Sequence, residues 1–423
     1  MPDIPVLFDG RAVGNISVTP DGLIFYYDRE WLRSTAAFPV SLTMPLTIEV
    51  IEPARLEPWL VNLLAEGEML QVIGRTLGIS TGDLPALLQA IGSDTAGALS
   101  FRSLPADAEP GYRTIDGDEE LKRIIDNLPA KPFLAGDEGV SMSLAGVREK
   151  IPLARLDDGR LAIPVNSAPS SHILKPDSSH LAGLVQNEAF CLRLAGRLAL
   201  DVCEVTTGRA VDRDYLLVTR YDRVATGQAD IPWRRLHQED FCQIAGLPPA
   251  RKYQHGQSGP GPGLVDFFDL LNRHAAVPAR DRIRLLDAVI FNVLVGNTDA
   301  HAKNWSMIIN PGAAAVMAPL YDIACAGVYD GITLNLAQDI AGQNRGPHIH
   351  GRHWRRMAEA AGLAGNAVVN RVRSLAGLLQ DVVNEGQIRA DIAAMPAGDH
   401  WILDQVERFV TDRCRTVILN LED

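Results

Sequence analysis

The stretch that decides the fold is residues 291–305, FNVLVGNTDAHAKNW, in which an apolar run is followed at once by polar side chains. Upstream, apolar residues recur at helical spacing, and Gly296-Asn297 supplies a stop signal. The recurring residues are Ile283, Leu286, Ile290 and Leu294. This spacing predicts one helix over residues 281–295, which delivers the polar loop behind it to one place.

The loop carries Asp299, His301, Lys303 and Asn304, and its Asp and Asn form the pattern D-x-x-x-x-N. Phosphotransferases of the protein-kinase type need that pair, because the Asp accepts a proton from the attacking hydroxyl and the Asn holds a magnesium ion. The alternative is a helix-end cap followed by a solvated loop. His301 does not indicate zinc, since no second His or Cys stands at ligand spacing. The rest of the chain has to decide between catalysis and capping.

Length and composition describe a globular protein of several packed units. The chain has 423 residues, 47% hydrophobic and 22% charged, which predicts two or three units. Its start shows no secretion signal, and no apolar run approaches the roughly 20 residues of a membrane helix. The five cysteines are scattered without C-x-x-C spacing, which favours reduced, mostly buried thiols and a cytoplasmic location.

The charge balance argues against direct nucleic-acid binding. The formal net charge is −12, and residues 1–110 contain six basic and 14 acidic side chains and no lysine. Binding to nucleic acid draws most of its affinity from cations placed on phosphates. We therefore expect no strong binding of this chain alone to DNA.

The order of patterns along the chain predicts three parts. Residues 1–105 begin as a meander of hairpins, continue as two helices over 53–79 and 83–92, and close with a strand at 97–104, a small α+β domain. After a linker rich in Pro, Gly and acid, residues 115–255 mix strands with a helix. Residues 264–423 are mostly helical, and the Gly- and Pro-rich segment 254–263 predicts a mobile loop.

In the middle part, a lysine on a strand is followed by a glutamate on a helix, the same order as in the nucleotide-binding lobe of a kinase. Lys175 ends the apolar strand HILKP, and Glu188 follows in a helix predicted over residues 184–200, before another strand. A lysine at a buried strand end needs an anionic partner, which ATP phosphates or Glu188 would supply. The alternatives are a lysine that reaches solvent from the strand end and an ordinary solvated helix acid.

Two further segments fit the same order but are weak by themselves. Residues 140–156 predict two strands joined by a tight turn, whose backbone N–H groups could cradle phosphate beside Lys150. A plain hairpin is the alternative. Asp322 follows the apolar stretch VMAPLY, where a kinase keeps its second magnesium ligand, or it caps a turn or helix. Five modest signals in kinase order favour the kinase interpretation.

With these residues assembled, the chain resembles the HipA family, serine/threonine kinases that are the toxins of bacterial toxin–antitoxin pairs. The resemblance spans most of the chain in family order. It is carried by NLLAEGE (62–68), SLAGVREK (143–150), HILKP (172–176), NEAFCLRLA (187–195), RYDR (220–223), RLHQEDFCQIAGLPPARKY (235–253), NTDAHAKNWS (297–306) and PLYDIA (319–324). It implies a small N-terminal α+β domain on a bilobal kinase-like body with a mostly helical C-terminal lobe.

The resemblance also implies roles for single residues. Asp299 becomes the catalytic base, Asn304 and Asp322 hold Mg²⁺, Lys175 contacts the ATP phosphates with Glu188 as its candidate partner, and Ser143 is the self-phosphorylated serine. Further ATP contacts fall on Ala145, Gly146, Val147, Arg148, Glu149, Lys150, Thr219, Arg220, Tyr221, His301, Ala302, Lys303, Asn304, Tyr321 and Asp322. Arg148 departs from the family, which more often has Gln there, and this affects substrate or nucleotide detail.

Partners and function follow from the same resemblance. We expect an ATP- and Mg²⁺-dependent protein kinase toxin that phosphorylates a translation-related protein, such as an aminoacyl-tRNA synthetase, and thereby produces persistence. Its partner would be a helix-turn-helix, HipB-like antitoxin, through which it meets operator DNA. A co-repressor that acts only as a binding module and a small-molecule kinase remain alternatives.

Overall fold

The structure is a computed structural model that describes residues 3–102, 108–228 and 232–422. Its N-terminal part is a four-stranded antiparallel sheet in chain order, covered by helices. The strands are β1 (Ile4–Phe8), β2 (Arg11–Thr19), β3 (Gly22–Tyr27) and β4 (Val50–Ile51), and the helices are α1 (Arg29–Arg33), α2 (Pro53–Val61), α3 (Gly67–Leu77) and α4 (Leu84–Ile91). Asp9 and Gly10, both at positive φ, form the tight turn between β1 and β2. The predicted meander is confirmed.

Two predictions in this part are wrong. The single helix predicted over residues 53–79 is two helices. The first ends at Val61, and the second begins at Gly67, whose φ of 60° is left-handed. The strand predicted at 97–104 is reduced to one backbone pair, in which Ser100 bonds with Leu7; residues 103 and 104 lie outside the described residues. At the helix break, the Glu66 N–H also bonds to the Gly146 carbonyl, a tertiary contact that local pattern does not contain.

The second part is a six-stranded antiparallel sheet in the order β5-β7-β6-β8-β10-β9. Its strands are β5 (Gly111–Thr114), β6 (Ile151–Arg155), β7 (Leu161–Val165), β8 (His172–Pro176), β9 (Val205–Ala210) and β10 (Arg213–Thr219), with helices α5 (Gly117–Asn127) and α6 (Leu184–Arg197). Helix α6 packs against β9 and β10. The predicted strand over residues 140–144 is absent; Met142 and Gly146 instead bridge to the N-terminal part.

The third part is mostly helical, with small sheets that carry the loops of the cavity described below. It contains β11 (Arg223–Ala225), β12 (Trp233–Arg235), β13 (His237–Asp240), α7 (Phe241–Ile244), β14 (His255–Gly256), β15 (Gly259–Pro260), α8 (Leu264–His274), α9 (Pro278–Val295), β16 (Ser306–Ile309), β17 (Ala315–Met317), β18 (Asn335–Ile340), β19 (Gln343–Arg345), α10 (Gly351–Ala360), α11 (Gly365–Glu385), α12 (Gln387–Ala393) and α13 (Ile402–Asn420). The segment predicted as a mobile loop, 254–263, contains the β14–β15 hairpin, which Gln254 and His255 attach to Asp339.

A buried charge network joins the N-terminal part to the rest. Asp94 accepts hydrogen bonds from Arg223 at 2.9 Å, Arg235 at 3.1 Å and the Ser170 hydroxyl at 2.6 Å, and all four groups are buried. Burial alone would raise the pKa of Asp94, but Arg223, Arg235 and Arg220 hold it well below its usual value. Loss of Asp94 would take an acidic partner from Arg223 and Arg235 in the interior, where an unbalanced charge is costly, so the junction is expected to be stiff.

The cysteines agree with the expectation of reduced, buried thiols. All five cysteines are buried and free. Within 3–102, 108–228 and 232–422, no helix has the length and apolar character needed to cross a membrane.

Candidate active site

The end of α9 sets the position of Asp299. The helix stops at Gly296, whose φ of 68° suits glycine and whose missing Cβ leaves room for the Phe409 ring. Asn297 then folds back, donating from Nδ2 to Asn292 at 2.8 Å and accepting the backbone N–H of Asp299 at 3.1 Å. The predicted helix is therefore confirmed, and its cap delivers Asp299 to the cavity in a defined orientation.

Asp299 is held by its neighbours on both its backbone and its side chain. Asn304 Nδ2 donates to the Asp299 carbonyl at 2.7 Å, and the Tyr253 hydroxyl donates to its Oδ1. His301 Nε2 lies 4.0 Å from the same Oδ1. The side chain is 64% exposed to the cavity, yet the surrounding protein desolvates the carboxylate. This desolvation raises the pKa of Asp299, while the Tyr253 hydrogen bond opposes the increase.

Strand β8 and helix α6 bring Lys175 and Glu188 together. Lys175 Nζ lies 2.6 Å from Glu188 Oε1 and also contacts Asp322 Oδ1, while Arg148 donates to Glu188 Oε2 at 2.7 Å. Lys175 and Glu188 are buried. Burial lowers the pKa of Lys175, and Glu188 opposes that effect. The pair is thus a buried ion pair that links the sheet, the helix and the segment carrying Asp322, which has a left-handed φ of 53°.

The segment that precedes β6 forms a turn over residues 145–150, and Lys150 folds back onto it. Lys150 Nζ donates to the Ala145 carbonyl, and Gly146, at φ 106°, leaves no space for a Cβ beside that ammonium. Burial, then repulsion by Lys175, lowers the pKa of Lys150 to about 7. Val147 is 66% exposed at the tip of the turn. A turn with a lysine beside it is suited to contact phosphate oxygens, and residues 145–150 are called the phosphate turn below.

Ser143 lies just before this turn but away from the surface. It is fully buried, and its backbone N–H donates to the Asp94 carbonyl at 3.0 Å. Its hydroxyl has no hydrogen-bond partner in the described part of the chain. Self-phosphorylation at Ser143 therefore stays a prediction, and it requires this segment to leave its position.

The segment after β10 forms the opposite wall of the cavity. The Tyr221 ring stacks on Tyr321 with centroids 5.6 Å apart, and its hydroxyl donates to Gln238 at 2.8 Å. The Arg220 guanidinium is turned inward to Asp222, 2.7 Å away, so its charge serves the domain junction. Thr219 faces His172 at 3.4 Å. Tyr221 and Tyr321 both line the cavity and give this wall an aromatic surface.

Residues 301–304 do not all present their side chains to the cavity. Lys303 is buried and donates to Asp240 at 2.8 Å and to Asn62 at 2.6 Å. His301 is nine-tenths buried, and burial lowers its pKa to about 3, so the ring is neutral. The Ala302 N–H donates to the Lys252 carbonyl at 3.0 Å. The loop is therefore anchored by polar contacts on both sides.

One cavity of about 1100 Å³ collects most of the predicted residues. Its lining includes Ala145, Gly146, Val147, Arg148, Lys150, Lys175, Glu188, Thr219, Arg220, Tyr221, Asp299, His301, Lys303, Asn304, Tyr321 and Asp322. Ser143, Glu149 and Ala302 are not on its surface. Sequence reasoning assigned no role to Asn62, Glu66, Asp240, Lys252 or Tyr253, which also line it. These five stand inside stretches that carried the family resemblance, which was the available signal.

The donor set near Asp299 fits a magnesium ion. Asn304 uses its Nδ2 on the Asp299 carbonyl, which leaves Oδ1 as an acceptor, and Asp322 offers a carboxylate to the same cavity. Both are hard oxygen ligands. In the residues that the structure describes, no three His, Cys, Asp or Glu side chains cluster as a metal cage. Mg²⁺ typically takes one or two protein ligands together with phosphate oxygens and water, a number that Asn304 and Asp322 could supply.

Comparison with known proteins gives a consistent result. The family model for the HipA N-terminal domain matches residues 4–102, and that for the HipA-like C-terminal domain matches residues 142–384. A Sinorhizobium fredii protein named "Putative kinase Y4mE" is 39% identical over 379 residues, 88% of each chain. The Shewanella oneidensis serine/threonine-protein kinase toxin HipA is 30% identical over 391 residues, 88% of this chain and 86% of that protein.

A solved structure agrees over the whole chain. It is the HipA of the Shewanella oneidensis MR-1 toxin–antitoxin system, in a complex with HipB and its operator DNA. The TM-score is 0.85 at 25% identity, covering 99% of this chain and 98% of that one. This match confirms the α+β, kinase-like fold class. With both family models covering most of the sequence and relatives aligned along nearly its full length, the chain belongs to the HipA family.

Proposed function

We propose that this protein is an ATP- and Mg²⁺-dependent serine/threonine protein kinase. The observation that carries the proposal is the convergence on one cavity of the Lys175–Glu188 ion pair, Asp322, and the Asp299–Asn304 pair. These groups come from a strand, a helix and two loops far apart in sequence. A purely structural role would not require an exposed carboxylate and a buried lysine to face the same cavity.

The chain's own residues have distinct tasks in this reaction. Lys175 and Lys150 bind phosphate oxygens, and Glu188 keeps the Lys175 ammonium in place. Mg²⁺, bound by Asn304 and Asp322, would neutralise charge on the phosphates. Asp299 orients the acceptor hydroxyl and takes its proton. Because phosphoryl transfer needs little covalent help, the rate acceleration comes mainly from positioning and charge stabilisation.

We further propose that the kinase is the toxin of a toxin–antitoxin pair in the cytoplasm. The Shewanella oneidensis relative is a kinase toxin solved with HipB and operator DNA, which supports a HipB-like partner here. The net charge of −12 favours DNA contact through that partner. By the family resemblance, the substrate is a translation-related protein such as an aminoacyl-tRNA synthetase, with persistence as the outcome.

The test is phosphate transfer by the purified protein. It is incubated with ATP, Mg²⁺ and a host lysate, and new phosphate on itself or on a lysate protein is located by mass spectrometry. Wild-type protein is expected to transfer phosphate, and Asp299→Asn protein is not. If wild-type protein transfers none to any protein, the proposal fails. Phosphate found only on small molecules would instead identify a small-molecule kinase.

A DNA titration tests whether this chain contacts DNA by itself. The isolated chain is expected to show little affinity for duplex DNA at physiological salt, and association with DNA is expected to require a basic partner. Tight, salt-sensitive binding by the chain alone would contradict the assignment of DNA contact to the partner.

A further inference from the structure

The segment between α2 and α3, residues 62–66, reaches from the N-terminal part into the cavity. Asn62 accepts hydrogen bonds from Lys303 Nζ twice, with its side-chain Oδ1 at 2.6 Å and its backbone carbonyl at 3.2 Å. Asp240 Oδ2 accepts the third, at 2.8 Å. Lys303 stands one residue before Asn304 in the loop that carries Asp299.

These three contacts use the whole donor capacity of Lys303. An ammonium group has three N–H donors, and Lys303 directs them to three protein oxygens while only 4% of its side chain is exposed. The family resemblance implies that Lys303 contacts ATP phosphates. In this structure its charge is instead neutralised by Asp240 and its donors are all taken, so Lys303 acts as an anchor for the loop.

Asn62 is itself fixed in the orientation that Lys303 requires. Its Nδ2 donates to the Pro58 carbonyl at 2.7 Å and to the Leu247 carbonyl at 2.8 Å. With both amide protons used, Oδ1 can point only toward the lysine. Asn62 is 2% exposed, so water does not replace any of these partners. The side chain is a rigid connector rather than a surface polar group.

The other end of the segment holds the phosphate turn. The Glu66 N–H donates to the Gly146 carbonyl at 3.1 Å, and Ala65 forms a parallel bridge with Gly146. Glu66 Oε2 pairs with Lys252 Nζ at 2.8 Å, and the Lys252 carbonyl accepts the Ala302 N–H. Residues 62–66 therefore contact the turn at Gly146 and the loop at 301–304 at the same time.

We propose that Asn62, supplied by the N-terminal part, is a positioning residue for phosphoryl transfer. Through Lys303 it fixes the loop of Asp299 and Asn304 at a set distance from the phosphate turn, and Glu66 supports this through Lys252. The inference deepens the proposed function and rests on it for the catalytic consequence. The contact between Asn62 and Lys303 is a property of the fold, and its effect on the loop can be measured without an activity assay.

The first measurement is hydrogen exchange of residues 297–305 in the full-length protein. Asn62→Leu keeps the approximate volume and removes the side-chain acceptor Oδ1, so the loop is expected to exchange faster, on the order of 10-fold. The matched control is His237→Gln. His237 is buried at the same junction, where it contacts the Val40 carbonyl at 2.9 Å, and it does not line the cavity. The control is expected to leave exchange of the loop unchanged.

The second measurement is kinetic. Asn62→Leu is expected to lower kcat by roughly 10- to 100-fold, the range for a misplaced reacting group, and to change KM for ATP by less than about 3-fold. His237→Gln should keep both constants. Because Asn62 and Lys303 act as one unit, the Asn62→Leu/Lys303→Met double variant should lose no more kcat than the more impaired single variant.

Each outcome decides something. Unchanged loop exchange in Asn62→Leu, or equal acceleration in His237→Gln, overturns the inference, as does a double variant whose losses add. If Asn62→Leu does not fold, Asn62→Ser is used instead, because its shorter side chain also loses the hydrogen bond with Lys303. If the wild-type protein transfers no phosphate, the proposed function fails, while the exchange result still decides whether Asn62 holds the loop.

Discussion

Tyr253 donates its hydroxyl to Oδ1 of Asp299, and among the described residues it is the only side chain that hydrogen-bonds directly to this carboxylate. The tyrosine is in turn fixed, because its ring meets His301 edge-on with centroids 5.0 Å apart and Lys252 lies over its face. Asp299 is therefore held in one orientation before any acceptor hydroxyl arrives, which reduces the reorganisation needed for proton transfer.

The first prediction follows from that contact. Tyr253→Phe removes the hydroxyl and keeps the ring, so Asp299 loses its orienting bond, and kcat is expected to fall by roughly 10-fold with ATP affinity unchanged. Steady-state kinetics and calorimetry measure the two quantities. Tyr112→Phe is a matched control, since Tyr112 donates to the Pro169 carbonyl away from the cavity. Normal kcat in Tyr253→Phe would show that the bond does not orient the base.

The second prediction concerns the base itself. Asp299→Asn keeps the shape of the side chain and removes its ability to take a proton, so phosphoryl transfer should be abolished. Asp299 does not pair with the lysines that would bind phosphate, so ATP binding should remain largely intact. Nucleotide affinity and phosphorylation are measured separately. Near-normal turnover of the variant would remove Asp299 from the catalytic role.

The third prediction separates the metal ligands from the base. Asn304→Ala and Asp322→Ala are each expected to weaken ATP binding in the presence of Mg²⁺ and to have less effect when EDTA removes the ion. Asp322→Ala should have an additional Mg²⁺-independent effect, because Lys175 loses one of its partners. Titrations with and without Mg²⁺ measure both. If both variants kept the wild-type metal dependence, the magnesium assignment would be wrong.

The fourth prediction is a proton taken up on nucleotide binding. The pKa of Lys150 is lowered to about 7 in the folded protein, so at pH 8 roughly nine-tenths of its amino groups are neutral. A phosphate beside it favours the charged form and raises that pKa, so ATP binding at pH 8 should take up close to one proton, and little below pH 6. Calorimetry in two buffers of different ionisation enthalpy measures the uptake, and Lys150→Met should abolish it.

The same shift has a consequence for stability. The unfolded lysine binds a proton up to its ordinary pKa of 10.5, whereas the folded one releases it above about 7. Between these values the unfolded state holds more protons, so the contribution of Lys150 to the free energy of unfolding rises with pH. Lys150→Met should flatten that rise, which thermal unfolding at pH 7 and pH 9 would show. Equal pH dependence in both proteins would contradict the lowered pKa.

Local patterns were sufficient for several of the elements that surround the cavity. Apolar spacing predicted the helix that ends at Val295 and the strand that ends with Lys175 and Pro176, and turn residues predicted the first hairpins. The sequence leaves open whether Glu188 pairs with Lys175 or is a solvated helix acid, and the structure brings the two charged groups to 2.6 Å. These features depend on residues within about 20 positions of each other, where periodicity and capping contain most of the information.

Long-range contacts explain what the sequence did not reveal. The ammonium of Lys303 is bound by Asn62, 241 positions away in the chain, and the hydroxyl of Tyr253 by Asp299, 46 positions away. Residues 140–144 alternate like a strand, but Asp94 competes for their backbone groups and prevents a regular ladder. None of these partners can be identified from spacing, because they are set by how the N-terminal part packs on the kinase-like body.

The fifth prediction concerns Ser143. A phosphate on this serine adds roughly −1.5 to −2 charges at pH 7. The serine is fully buried beside the Asp94 carbonyl, and within the described residues its hydroxyl has no hydrogen-bond partner. The modified residue therefore cannot remain in place. Its departure would pull on Gly146 and Lys150, which follow within seven residues, and remove the phosphate turn from the cavity.

We therefore expect the kinase to inactivate itself once Ser143 is modified. During incubation with ATP and Mg²⁺, phosphate on Ser143 should appear together with faster hydrogen exchange over residues 141–150 and a loss of ATP affinity of at least about 10-fold. Ser143→Ala should keep its affinity throughout, and Ser143→Asp should reproduce the loss only in part, because it brings one charge and a different geometry. Fully phosphorylated protein that still binds ATP as tightly as fresh protein would rule out self-inactivation through this turn.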